Sequence, residues 1–124
     1  MRNRSLSIYV VDDDPSVRDA YSRLLSSARM TPTAFNSVEA LLANDLSHDP
    51  DCIIADIRMP GASGLELPGL LTRSVPVIYV TAHDNPETRE TARRAGAAGY
   101  FRKPVDSQAL IDAITWATGQ QAGA

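Results

Sequence analysis

The 124-residue chain carries a single cysteine, Cys52, so an internal disulfide is impossible. A reducing compartment fits that usage. Two histidines, His48 and His83, beside one cysteine cannot supply the cluster that a zinc site requires. No segment reaches the roughly 18 consecutive apolar residues of a bilayer span, and the opening residues do not read as a signal peptide. The expected location is the cytoplasm, with no membrane partner. A net charge of −3 offers no basic footprint for direct nucleic-acid binding. Lysine is as scarce as cysteine: Lys103 stands alone against eleven arginines. Where a generic positive charge serves, this chain uses arginine. A lone lysine therefore marks a place for a compact ammonium on a flexible stem, for which anion chemistry at a crowded site is the usual reason.

The remaining composition, 44% hydrophobic and 22% charged, is that of a globular domain long enough to bury a core unaided. Its pattern alternates between short β-branched runs and helical stripes. Leu6 to Val11 is an apolar run ending at Asp12-Asp13-Asp14, the mark of a buried strand. Asp14-Pro15 reads as an N-cap with proline at the first helical position, and Val17, Tyr21, Leu24, Leu25 and Ala28 follow as one stripe. Thr31 to Phe35 is a weak second strand, and Ser37 caps a short helix to about Asn44. Asp51 to Ala55 is a third strand, ending at Asp56. A loop from Arg58 to Gly64 leads to a short helix from Leu65 to about Thr72. Val75 to Val80 is the fourth strand, running into Thr81. Asn85-Pro86 opens a helix that Gly96 closes, Gly99 to Phe101 is a short fifth strand, and Asp106 caps a last helix. Five strand-then-helix units without linker or repeat predict one domain, with helices on both faces of a parallel sheet.

In such a sheet, ligands bind beyond the carboxyl ends of the strands. Asp12 and Asp13 follow the first strand, Asp56 the third, Thr81 the fourth and Lys103 the fifth. Singly, an aspartate at a strand end is ordinarily a turn or cap residue, as Asp14 is before Pro15. Jointly, these residues place carboxylates, a hydroxyl and an ammonium at one edge. Gathered carboxylates raise one another's pKa or bind a hard cation. Magnesium suits them, since it takes oxygen ligands and keeps exchangeable waters. Lysine and threonine beside such a cation are what a phosphoryl group needs, and a carboxylate can itself be the nucleophile.

On Val10-Val11-Asp12-Asp13-Asp14, Asp56-Ile57-Arg58-Met59-Pro60-Gly61, Ser63-Gly64-Leu65-Glu66-Leu67, Val80-Thr81-Ala82 and Lys103-Pro104, the chain resembles the receiver domain of two-component response regulators, the CheY-like superfamily. The Arg-Met-Pro-Gly loop and His83 look most like the receivers of helix-turn-helix transcriptional regulators. The resemblance covers nearly the whole chain. It implies a flavodoxin-like, doubly wound, five-stranded parallel sheet of order 2-1-3-4-5 with five helices, spanning residues 1–124 with no output domain in this chain. It implies Asp56 as phosphoacceptor, served by a sensor histidine kinase, a phosphotransfer protein or acetyl phosphate. Asp12, Asp13, Asp56 and the main-chain carbonyl of Arg58 would hold Mg²⁺, with Mn²⁺ as a substitute. Lys103 would pair with phosphoryl oxygens, Thr81 and Ala82 would bind the group, and the Lys103–Pro104 bond would be cis. Tyr100, on its residues alone a half-buried strand aromatic, would change rotamer. The face of the fourth helix, fifth strand and fifth helix would then shift its population. That face would act on an output domain, a partner protein or a second phosphorylated copy. Arg58 and His83 occupy the positions that tune phosphoryl lifetime in this family. The implied role is regulatory, a phosphoacceptor that assists its own phosphorylation and dephosphorylation.

The chain departs from the family between Gly64 and Pro76, which is about three residues shorter than usual and contains Pro68-Gly69. The third helix should therefore be short or irregular. A magnesium-dependent phosphohydrolase, the nearest rival, wants a second acid two residues after its nucleophile, where this chain has Arg58. A phosphate-independent adaptor on the same fold could lose the acids, Thr81 and Lys103 freely, and this chain keeps them. His48 reads as solvated, Arg89, Arg93 and Arg94 as a solvated helix face, Cys52 as a buried hydrophobe, and Trp116 as partly exposed off the apolar stripe of the last helix.

Overall fold

The three strongest apolar runs become the three central strands of the sheet. The structure is a computed structural model, and it describes residues 5–44, 50–71 and 74–119. In chain order the elements are β1 (Ser7–Val11), α1 (Pro15–Ser27), β2 (Thr31–Phe35), α2 (Val38–Leu42), β3 (Cys52–Asp56), α3 (Leu67–Leu70), β4 (Val77–Thr81), α4 (Pro86–Arg94), β5 (Gly99–Arg102) and α5 (Ser107–Ala117). All pairings are parallel, and the sheet order is β2-β1-β3-β4-β5. This is the flavodoxin-like order. Every residue of β3 and β4 is buried, as a strand covered on both faces must be.

Alternation along the strands divides the core in two. Ile8, Val10, Cys52, Ile54, Ile78 and Val80 face one side, where they pack with Leu25 of α1 and Leu110 and Ile114 of α5. Tyr9, Val11, Ile53, Ala55, Val77 and Tyr79 face the other, against Val38 and Leu41 of α2, Leu67 of α3 and Ala92 of α4. Cys52 lies fully inside, and burial pushes its thiol up to about 12. β2 pairs only with β1 and exposes Thr31, Thr33 and Ala34, which is why its sequence signal is faint and why Pro32 is tolerated there.

The helices start where the polar residues dictate. Asp14 accepts from the Ser16 amide at 2.9 Å, Ser37 from Ala40 at 2.9 Å, Asn85 from Thr88 at 2.8 Å and Asp106 from Ala109 at 2.9 Å. Each cap satisfies an amide that the helix itself leaves unpaired, and is worth about 1 kcal/mol.

The third helix is short and irregular, as Pro68-Gly69 predicts, but its bounds differ from the expected Leu65 to about Thr72. In place of one helix from Leu65, a 3-10 turn over Gly64–Glu66 precedes a four-residue α3. Ser63 and Glu66 form a reciprocal capping box, which fixes the start one turn before Pro68. Pro68 then sits in the first turn of α3, and Leu71 is already extended. Thr72 lies outside the described residues, as does His48. Smaller shifts have simple causes. β4 starts at Val77 because Pro76 has no amide to donate. α2 ends at Leu42, two residues before Asn44. Trp116 is 73% exposed.

Tyr79 is fully buried in β4, and among the described residues its hydroxyl has no hydrogen-bond partner. Burial alone raises its pKa to about 12. An orphaned hydroxyl carries a desolvation penalty that phenylalanine lacks. Tyr79→Phe should therefore raise unfolding free energy by about 1 kcal/mol in urea titrations. A loss of stability would mean that the hydroxyl is satisfied after all.

Candidate functional site

Strand register builds the site. Val11 stands opposite Ala55, so Asp12, one residue beyond, comes alongside Asp56. Asp56 ends β3 opposite Val80, and Thr81 stands opposite Arg102, which puts Lys103 one step further on. Backbone bonds carry the order past the strand ends. The Asp12 amide donates to the Phe35 carbonyl at 3.1 Å, Ile57 to Val80 at 3.2 Å and Lys103 to Thr81 at 2.8 Å.

The side chains meet at that edge. Lys103 Nζ lies 2.9 Å from Asp12 Oδ2 and 3.0 Å from Asp56 Oδ2, bridging the two acids. Asp12 is 1% exposed and Asp56 7%, while Asp13 faces solvent. One oxygen from each of Asp12, Asp13 and Asp56 lies within 4.8 Å of the others. The Arg58 amide donates to Asp56 Oδ1 at 3.2 Å, and the Arg58 side chain points to solvent. Thr81 is fully buried, and its Oγ1 accepts from the His83 amide at 3.0 Å, which leaves the hydroxyl proton available. Ala82 and His83 are exposed, and the Lys103–Pro104 bond is cis. Gly64 is required at the back of the site, because a Cβ there would run into the Asp56 carbonyl oxygen.

Tyr100 stands apart from the acids and is half-buried. Its hydroxyl donates to Asp84 Oδ1 at 2.9 Å. Arg89 pairs with the other Asp84 oxygen, and its guanidinium carbon lies 5.8 Å from the Tyr100 ring centre. Arg93 and Arg94 are exposed and pair with Glu90 on their own helix, as a solvated face would. Asp84 was invisible in the sequence, and so was Arg18, whose Nη1 donates to the Asp12 carbonyl at 2.8 Å. Neither carries any periodicity or motif that would single it out.

Burial pushes the Asp56 carboxyl above its ordinary range, the Asp12 charge adds to that, and the Lys103 bond and charge oppose it. For Lys103, burial works downward, but the hydrogen bonds and charges of Asp12 and Asp56 win and hold it above its usual value. The ammonium is thus firmly protonated beside an acid that is costly to ionise. Oxygen is the only donor type in the cluster, and three hard carboxylates around an exposed opening fit Mg²⁺ or Mn²⁺.

The sequence of residues 8–115 matches the family model of the response regulator receiver domain. The chain belongs to the response regulator receiver family. Receivers of this family are phosphorylated on aspartate in a Mg²⁺-dependent reaction, interact with kinases and output domains, and are regulatory. The transcriptional regulatory protein FixJ of Azorhizobium caulinodans is 37% identical over 121 residues, covering 95% of this receiver and 57% of that protein. Response regulator protein TodT of Pseudomonas putida is 34% identical over 118 residues, covering 92% and 52%. The receiver spans about half the length of these curated relatives. Among solved structures, a response regulator receiver protein from Burkholderia phymatum superimposes with a TM-score of 0.81 at 39% identity, covering 93% of this chain and 96% of that one. The FixJ-N structure gives 0.83 at 29% identity, covering 94% and 95%. No described helix is long and apolar enough to cross a membrane.

The raised pKa of Asp56 makes its charge a liability in metal-free protein. A carboxyl whose folded pKa exceeds its unfolded value contributes stability when protonated, and loses it as pH rises through the folded pKa. Asp56→Asn should therefore unfold at a higher temperature than wild type at pH 7 without metal, and the gap should close toward pH 4. Thermal scans across that range check this, and a variant less stable at pH 7 would contradict it.

Proposed function

We propose that Asp56 is the phosphoacceptor of a two-component phosphorelay and that its phosphorylation controls an output domain or partner protein. The observation that supports this most is the Lys103 ammonium spanning Asp12 and Asp56 at the mouth of the carboxylate cluster. An Asp56 oxygen attacks phosphorus. The bond to a donor histidine nitrogen, or to acetate in acetyl phosphate, breaks, and its electron pair leaves with imidazole or acetate. The imidazole then takes a proton from solvent.

Each residue of the chain has a task in that step. Asp12, Asp13, Asp56 and the Arg58 carbonyl would hold Mg²⁺, which when bound would offset charge on the phosphoryl oxygens. Lys103 adds a fixed positive charge within hydrogen-bond range of the nucleophile, and the bond from the Arg58 amide steadies Asp56 Oδ1. The Thr81 hydroxyl and the Ala82 amide bind the transferred group. Arg58 and His83, both exposed beside the site, screen the water that later hydrolyses it.

The readout runs through Tyr100. In the resting receiver Asp84 and Arg89 hold its ring and hydroxyl. As Thr81 turns to the phosphoryl group, Tyr100 leaves that seat and the α4-β5-α5 face changes its population. Because FixJ is a transcriptional regulatory protein and this chain covers 57% of its length, a transcriptional output is the favoured one. A second phosphorylated copy is another partner for that face. A phosphohydrolase is disfavoured because Arg58, not an acid, stands two residues past Asp56.

Intact mass after incubation with acetyl phosphate tests the proposal. Wild type with Mg²⁺ should gain one phosphoryl group, while Asp56→Asn and a metal-free control should gain none. Modification that survives in Asp56→Asn would place the acceptor elsewhere. No gain in folded wild type, from acetyl phosphate or a sensor kinase, would leave a constitutive adaptor.

A further inference from the structure

We infer that Glu39 is a positioning residue for the acid cluster, acting as a latch on the loop that carries Arg58; this rests on the Mg²⁺ reading above. The loop leaves the sheet directly after Asp56. Its base is closed by two bonds to one acceptor: the Ser63 hydroxyl reaches the Ile57 carbonyl at 2.9 Å and the Gly64 amide reaches it at 3.3 Å. Residues 58–62 therefore project as a tip whose placement the base alone does not fix.

The tip is held from another element. The Ala62 amide donates to Glu39 Oε2 at 2.9 Å, a contact between residues 23 apart in the chain. Glu39 lies in the first turn of α2, a helix anchored by its Ser37 cap and by buried Val38 and Leu41. The neighbouring residue is shaped to admit the carboxylate. Gly61 has a φ of +83°, and a Cβ there would stand 2.8 Å from Glu39 Oε2 and 3.2 Å from Oε1. The positive φ favours glycine at 61, and a Cβ there would push against the Glu39 carboxylate. The Ala62 amide in turn holds the Glu39 carboxyl below its usual range, so it is ionised and a strong acceptor at neutral pH.

Glu39 stands outside the acid cluster and acts through the main chain. With the base closed and the tip latched, Arg58 is held between two fixed points. Its amide keeps Asp56 Oδ1 in place, and its carbonyl, the one non-carboxylate ligand assigned above, is presented without a search. Losing the latch frees that carbonyl while leaving all three carboxylates in place.

The test uses the full chain as wild type, Glu39→Ala, Glu39→Gln and Gly61→Ala. Mg²⁺ affinity is read by titration calorimetry and the Ala62 amide by hydrogen exchange, beside a thermal scan. Glu39→Ala should speed Ala62 exchange and weaken Mg²⁺ binding roughly tenfold, the usual size for a residue that orients a metal ligand. Glu39→Gln, which keeps an acceptor oxygen, should recover most of both. Gly61→Ala should weaken Mg²⁺ binding while Glu39 is intact, which also serves if Glu39→Ala does not fold. Equal Mg²⁺ affinity in wild type, Glu39→Ala and Gly61→Ala would overturn the positioning role. Wild type that binds no Mg²⁺ would overturn the reading of the cluster itself, and the positioning role with it.

Discussion

Two acids lie in the same nearly dry edge of the sheet, and one ammonium joins them. Asp12 and Asp56 sit where unpaired carboxylates would be strongly disfavoured, and Lys103 is within 3.0 Å of both. That interaction is conditional. It compensates the acids only partly, since Asp56 remains pushed toward its protonated form. The fold therefore holds a site short of positive charge, which a divalent cation or a phosphoryl-transfer step can exploit. Arginine is this chain's ordinary cation, but a planar fork directs its donors in one plane, whereas an ammonium can donate to two separate carboxylates at once.

The rest of the structure exists to bring Lys103 there. Its partners lie 91 and 47 residues away in the chain, so only sheet register can join them. Register is fixed by the hydrophobic alternation, because a one-residue slip would turn Ile54 and Val80 out of one core and Ile53 and Tyr79 out of the other. The strands end together: Asp56 and Thr81 are the last residues of β3 and β4, and Asp12-Asp13 and Lys103 come directly after β1 and β5. Function thus sits where apolar pattern gives way to polar residues, which is also where the backbone order is still carried by Asp12, Ile57 and Lys103 amide bonds.

That coincidence explains what was legible. The central strands, the four capped helices and the convergence of Asp12, Asp13, Asp56, Thr81 and Lys103 follow from periodicity and from strand-end position. The strand order came from family resemblance, and the edge strand β2 was faint because three of its five residues face solvent. That the third helix is short and irregular was legible from Pro68-Gly69. Its bounds were not, because a capping box at Ser63 and Glu66 sets a 3-10 turn ahead of it. Glu39, Asp84 and Arg18 were illegible for another reason. Each is a polar residue on a helix or loop with no pattern around it, and each matters through one hydrogen bond to a distant part of the chain. Local sequence reports which face a residue takes; it does not report which amide or hydroxyl awaits it there.

The most direct measurement is the rate of phosphoryl transfer from acetyl phosphate to Lys103→Arg, compared with wild type at saturating Mg²⁺. The charge is kept and the geometry is changed. If the ammonium bridge is what readies Asp56, the folded variant should react slower by a factor on the order of a hundred, the scale of losing one well-placed charge donor. A rate equal to wild type would contradict that, and would leave the chain's only lysine as one cation among twelve.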